Sequence, residues 1–197
     1  MRPAVFFDRD GTLVEHVHYL NRPDQIRVLP RVPALLRGLH AAGYACVVVT
    51  NQAAIGKGLL TVDGLHEIQE ELARQLAVEG AQLDGWYYCP EVRRSDDIEE
   101  LEHPDRKPGP GMLLRAAAEL GLDVGASWMV GDMLSDTLAG RNAGCLRTVL
   151  VSRAEGDERA RLAAHASVDH VVRDVGDVLA LVLAARATTP DGAREES

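Results

Sequence analysis

Residues 4–13, Ala-Val-Phe-Phe-Asp-Arg-Asp-Gly-Thr-Leu, constrain the fold more than any other stretch of this chain. Four apolar residues run without a polar break, the pattern of a parallel strand buried on both faces. The run stops at Asp8, and Asp10 stands two residues on, before Gly11. Residues two apart in extended chain point to one side, so the two carboxylates can converge on one site. Gly11 permits a tight exit that a bulkier residue would resist. Open α/β sheets bind ligands at the carboxyl ends of their strands. Taken alone, the stretch is equally compatible with a strand that ends in a polar turn.

The rest of the composition narrows the setting. The chain has 197 residues, 46% of them apolar, enough for one domain with a substantial core. No apolar run approaches the length of a membrane span, and Met1-Arg2-Pro3 leads straight into the first strand, leaving no room for a signal peptide. The expectation is a cytoplasmic protein. A net charge of −9 argues against broad nucleic-acid contact, which is built on cations facing phosphate. A small anionic ligand remains compatible, since a metal and a few placed cations reverse the local field. Cys46, Cys89 and Cys145 are odd in number and scattered, so disulfides are not expected.

Further along, strand-like and helix-like segments alternate. Glu15 to Pro23, polar and aromatic with no period, reads as a loop over the strand end; its His16 and His18 alone are a weak metal signal. An amphipathic helix follows through Leu35, Leu36 and Leu39, stopped by Gly43. Tyr44 to Val49 is a second buried strand ending in Thr50-Asn51-Gln52, small hydrogen-bonding groups suited to phosphate oxygens. Ala53 to Gly58 reads as a loop with Lys57 at its tip, and it is not a P-loop because Gly58 follows the lysine. Thr61 caps a long helix to Glu79, with Leu65, Ile68, Leu72 and Leu76 on one stripe. A third strand ends at Cys89, and residues 90–110 are irregular, acidic and too long for a simple connection. Within them Arg106-Lys107 stands between prolines ahead of a helix, a plausible anion clamp or an ordinary solvated pair. Ser127 to Gly131 is a fourth strand that delivers Asp132, with Asp136 four residues on; Arg147 to Val151 is a fifth, and Val168 to Val172 a sixth. Such alternation predicts an α/β fold, a doubly wound Rossmann-like parallel sheet, in a single domain over residues 1–186 with no large cap. Residues 187–197, small and polar, read as a disordered tail.

Four motifs in this order resemble those of the haloacid dehalogenase (HAD) superfamily of phosphohydrolases: Asp8-x-Asp10-Gly-Thr, strand-terminal Thr50, Lys107-Pro, and Gly131-Asp132-x-x-x-Asp136. The resemblance implies that Asp8 is a nucleophile and Asp10 a general acid/base. It implies that Thr50 and Lys107 hold the phosphoryl group, and that Asp8, Asp10, Asp132 and Asp136 bind Mg²⁺. These are hard oxygen donors of the kind Mg²⁺ takes.

Closer still, His16-Val17-His18-Tyr19, the loop from Gln52 to Gly58, Cys89-Pro90, Arg106-Lys107-Pro-x-Pro-Gly-Met and Gly131-Asp132-x-Leu134-x-Asp136 resemble the capless D-glycero-D-manno-heptose 1,7-bisphosphate phosphatases, relatives of histidinol-phosphate phosphatases. Substrate contacts implied by that likeness are His16, Val17, His18, Tyr19, Asn51, Gln52, Ala53, Lys57, Arg106 and Met133. The family also carries a structural zinc on Cys-x-His and Cys-x-Cys. Here those places read Cys89-Pro90-Glu91 and His103-Pro104-Asp105. One thiolate survives, so Cys89, Glu91, His103 and Asp105 are expected to be a degenerate remnant rather than an intact zinc site. The expected protein is a monomeric phosphatase of a small phosphorylated sugar, with no nucleic-acid or membrane partner. Histidinol phosphate or another small phosphate ester is the alternative substrate. A non-catalytic phosphate-binding protein is a third reading, disfavoured because every catalytic position is occupied.

Overall fold

A computed structural model of the chain describes residues 1–188. Six strands form one parallel sheet: β1 (Arg2–Phe7), β2 (Ala45–Asn51), β3 (Gly85–Cys89), β4 (Leu122–Gly131), β5 (Arg147–Val151) and β6 (His170–Val172). Their spatial order is β3-β2-β1-β4-β5-β6. The helices are α1 (Val32–Ala41), the single turn α2 (Ala53–Gly56), α3 (Val62–Val78), α4 (Gly111–Leu120), α5 (Leu134–Ala143), α6 (Gly156–Ala163) and α7 (Val178–Thr188).

Strand alternation divides the core into two layers. Val5 and Phe7 of β1, with Cys46 and Val48 of β2, face one side and pack with apolar residues of α1, α3 and α7. Ala4 and Phe6, with Ala45, Val47 and Val49, face the other and meet α4 and α5. Helices on both faces explain why β1 and β2 are unbroken apolar runs. Thr61 caps α3 as its sequence suggests, its hydroxyl accepting the Gly64 N–H at 3.0 Å.

The structure departs from the sequence reading in four places. Ala53–Gly56 is a helical turn, not loop. β4 begins at Leu122, five residues early, because Leu122 and Asp123 pair with Arg2 and Pro3 before a register break. Helix α6 buries none of its residues and so leaves no apolar stripe to read. Helix α7 reaches Thr188, past the boundary set at 186; the tail over 189–197 lies outside the described residues. No helix among the described residues is long and apolar enough to cross a membrane.

β1 lies between β2, reached by one crossover, and β4, where strand order reverses. That reversal opens a crevice at the carboxyl ends of the strands, and Asp8, Thr50 and Asp132 all stand there.

Candidate active site

Asp8 leaves β1 with its backbone N–H on the Val130 carbonyl (2.9 Å), which ties it to β4. Lys107, 4% exposed, reaches in from the loop after β3. Its ammonium lies 2.7 Å from Asp8 Oδ1, 2.7 Å from Asp136 Oδ1 and 2.8 Å from the Val49 carbonyl. All three donors are thus used. Burial alone would push Lys107 down, but Asp136 and Asp8 hold it above its usual value. Asp136 is fully engaged, since its Oδ2 also accepts the Met133 N–H at 2.9 Å at the start of α5.

The carboxylates are crowded. Oxygens of Asp8, Asp132 and Asp136 lie within 4.8 Å of one another. Burial, then Asp136 and Asp10, raises Asp8 to about 6 despite Lys107. Burial, then Asp8 and Asp136, raises Asp132 to about 7. Two glycines make the closeness possible: a Cβ on Gly11 (φ +79°) would stand 2.3 Å from Asp132 Oδ2, and one on Gly131 2.1 Å from Asp136 Oδ2.

On the β2 side, the Asn51 side chain pairs with the Lys107 backbone in both directions, at 3.1 and 3.2 Å, fixing the lysine-bearing loop to the sheet. Thr50, Asn51, Asp8, Asp10, His16, Lys107, Asp132, Met133 and Asp136 line one open cavity of about 200 Å³. A neighbouring cavity of about 220 Å³ is lined by Arg9, Asp10, His16 to Leu20 and Asn51 to Ala54, so Val17, His18, Tyr19, Gln52 and Ala53 are brought together there. Both fall below the roughly 300–1,000 Å³ typical of drug-sized sites, a scale suited to a phosphoryl group and a sugar. Lys57 sits at the rim, its ammonium donating to the Tyr19 hydroxyl at 2.5 Å. Arg106 is not brought to either cavity; its guanidinium donates to the Glu91 carbonyl at 2.8 Å.

A family model described as HAD-hydrolase-like matches residues 105–178. The chain is 41% identical over 151 residues to a D-glycero-beta-D-manno-heptose-1,7-bisphosphate 7-phosphatase of Pasteurella multocida, covering 77% of this chain and 82% of the relative. It is 37% identical over 177 residues to a D-glycero-alpha-D-manno-heptose-1,7-bisphosphate 7-phosphatase of Burkholderia mallei, covering 89% and 91%. The chain belongs to this family of HAD phosphatases. Among solved structures, the D,D-heptose 1,7-bisphosphate phosphatase of B. bronchiseptica, complexed with magnesium and phosphate, superposes with a TM-score of 0.76. That match is at 28% identity and covers 93% of this chain and 99% of that one.

The heptose-bisphosphate phosphatase family implies two metals, and the residues answer differently to each. Carboxylates crowded until two of them resist ionisation are a hard-oxygen set that a divalent cation would relieve, so the site fits Mg²⁺. Of the four aspartates expected to hold it, Asp8 and Asp132 are the least engaged with other groups, and Asp136 stands in the same cluster. Asp136 spends both oxygens on Lys107 and Met133, and the Asp10 carboxylate is occupied by Arg9.

The zinc positions do not fit. Cys89 Sγ and His103 Nδ1 lie 4.0 Å apart, but His103 Nδ1 accepts the Asp105 N–H at 3.1 Å and Asp105 Oδ2 pairs with Arg115 at 2.6 Å. Among the described residues no third donor joins Cys89 and His103 in a cluster.

The sequence reading missed Arg9 and Arg115. Arg9 stood as the unspecified residue between two aspartates, and nothing in its neighbourhood marks it as buried.

Proposed function

We propose that the chain hydrolyses phosphomonoesters through an aspartyl-phosphate on Asp8, and that its substrate is a D-glycero-D-manno-heptose 1,7-bisphosphate cleaved at C7. The observation that carries the chemistry is Asp8 beside the buried Lys107 ammonium, with Asp132 and Asp136 converging at the strand reversal. The family, whose members are named for that substrate, supports its identity.

Lys107 holds Asp8 Oδ1, which orients the carboxylate so that its other oxygen faces the phosphorus in line. Thr50 and Asn51 take phosphoryl oxygens. Asp8 displaces the ester oxygen, which leaves with a proton from Asp10; Asp10 then takes a proton from the water that cleaves the acyl phosphate. Asp8, Asp132 and the Asp10 carbonyl would hold Mg²⁺, which would supply charge neutralisation for the phosphoryl oxygens. Asp136 positions Lys107.

The test is phosphate release with Mg²⁺ from heptose 1,7-bisphosphate, hexose bisphosphates, histidinol phosphate and simple monophosphates. A preference for the heptose bisphosphate together with a dead Asp8→Asn variant is the expected result; substantial turnover by that variant would remove Asp8 as nucleophile. One observation favours a second reading, a monophosphate substrate. Arg106, the natural grip for a second phosphate, is turned to the Glu91 carbonyl.

A further inference from the structure

Arg9 is the largest charged side chain buried among the described residues, 1% exposed, yet it borders the active site. Its guanidinium forks onto Asp10, Nε to Oδ1 at 3.0 Å and Nη2 to Oδ2 at 2.7 Å. Nη2 also donates to Gln52 Oε1 at 3.2 Å. Gln52 returns its amide to Asp10 Oδ2 at 3.2 Å and to Thr50 Oγ1 at 3.0 Å. Three donors therefore fix one carboxylate in plane, and the network reaches the phosphoryl-binding hydroxyl. Nη1 is buried with no partner among the described residues.

Such an arrangement is costly as scaffolding. An unpaired buried donor destabilises the fold, and apolar side chains in place of a buried ion pair are often as stable. What it accomplishes is local. Asp10, His16 and Asn51 are common to the 200 Å³ and 220 Å³ cavities, and Asp10 is the only carboxylate among them. The junction of phosphoryl and leaving-group spaces is where the scissile ester oxygen must lie.

We propose that Arg9, through Gln52 as a brace, is a positioning residue that sets Asp10 on the ester oxygen. The inference rests on the aspartyl-phosphate reading. In the first displacement the Asp8 oxygen bonds to phosphorus, the phosphorus–ester bond breaks with its electron pair on the leaving oxygen, and Asp10 gives that oxygen its proton. In the second, water adds to phosphorus and gives its proton to Asp10, the phosphorus–Asp8 bond breaks, and inorganic phosphate leaves. Both proton transfers need Asp10 at one fixed place, and misplacement of about 1 Å costs on the order of 10²-fold.

The experiment compares wild type, Arg9→Met and Arg9→Lys on a primary alkyl phosphate and on p-nitrophenyl phosphate, with Mg²⁺, by stopped flow. The nitrophenolate leaving group needs no proton, so its first displacement is insensitive to Asp10, whereas water attack is not. For Arg9→Met the expected result is a fall of about 10²-fold or more in kcat on the alkyl ester with KM little changed. On the aryl ester it is a burst of about one nitrophenolate per site before slow turnover, larger relative to turnover than in wild type. Arg9→Lys, which keeps the charge without the fork, should show the same signature with a smaller loss, and it carries the test if Arg9→Met fails to fold. Equal losses on both esters with no added burst, or unchanged rates, would overturn the inference. An Asp8→Asn control separates the two ideas: turnover surviving there sinks the aspartyl-phosphate reading and this inference with it. A dead Asp8→Asn beside a wild-type-like Arg9→Met sinks this inference alone.

Discussion

Removing one of the crowded carboxylates should stabilise the metal-free protein. Asp132 is raised to about 7, first by burial and then by Asp8 and Asp136, against about 3.9 in an unfolded chain. A carboxyl whose folded value lies above its unfolded value binds its proton more tightly when folded. Stability therefore falls as pH rises from about 4 to 7, at up to ~1.4 kcal/mol per unit, and levels off above. The full window of about three units would amount to ~4 kcal/mol. Solvent reaching a partly exposed group reduces this to ~1–2 kcal/mol. At 2–4 °C per kcal/mol for a chain of this size, Asp132→Asn should melt roughly 2–8 °C higher than wild type at pH 8 in chelator.

The assay is a thermal melt at pH 5 and pH 8, with EDTA and with Mg²⁺. The Asp132→Asn advantage should shrink to about a third at pH 5, about one unit into the three-unit window. Mg²⁺ at a hundred times its Kd should stabilise wild type by ~2.7 kcal/mol, and Asp132→Asn far less. A variant that melts lower than wild type at pH 8 in EDTA, and gains as much from Mg²⁺, would refute both the repulsion and the ligand assignment.

Lys107→Met leaves the Asp8 and Asp136 carboxylates buried without their cation, so it should cost about 3–5 kcal/mol; the melting temperature and phosphate release together check this. At the opposite end of the sheet Asp84 accepts from Arg2 (2.8 Å), His40 (2.7 Å) and the Cys46 N–H (2.7 Å). Burial opposes its ionisation, but these bonds hold it below its usual value. Asp84→Asn should lose about 1–3 kcal/mol at pH 7 with kcat unchanged. Its deficit should shrink as acid protonates wild-type Asp84, and a deficit constant down to pH 3 would refute the ionic role.

The sheet and three of the four motif positions were legible because each of those buried runs ends abruptly in a polar residue. Phe6-Phe7 runs into Asp8, Val48-Val49 into Thr50, and Met129-Val130-Gly131 into Asp132. Any one such ending also fits a polar turn, and it is their recurrence at neighbouring strand ends that points to a site. What stayed hidden was pairing between distant residues. The resemblance makes Asp136 a metal ligand, and only the approach of Lys107 from 29 positions earlier shows that its carboxylate also pairs with an ammonium. Arg9 passes unremarked between two acids, because nothing local announces that Gln52, 43 positions later, closes over it.

The loop after β3 poses the same problem on a larger scale. With the family's zinc thiolates reduced to Cys89, something else must hold Lys107 against Asp8 to within a hydrogen bond. The structure supplies several short polar ties, none of which a sequence motif encodes. Asp105 grips Arg115 of α4, and the Glu102 carboxylate accepts the Arg94 and Ser95 N–H groups. Asn142 of α5 donates to the Pro108 carbonyl at 2.9 Å, and Asn51 brackets Lys107 itself. Each is worth about 0.5–1.5 kcal/mol. Together they tie the lysine to β2, α4 and α5 at once, so the geometry that a metal would impose from one point is imposed here from three elements of the fold.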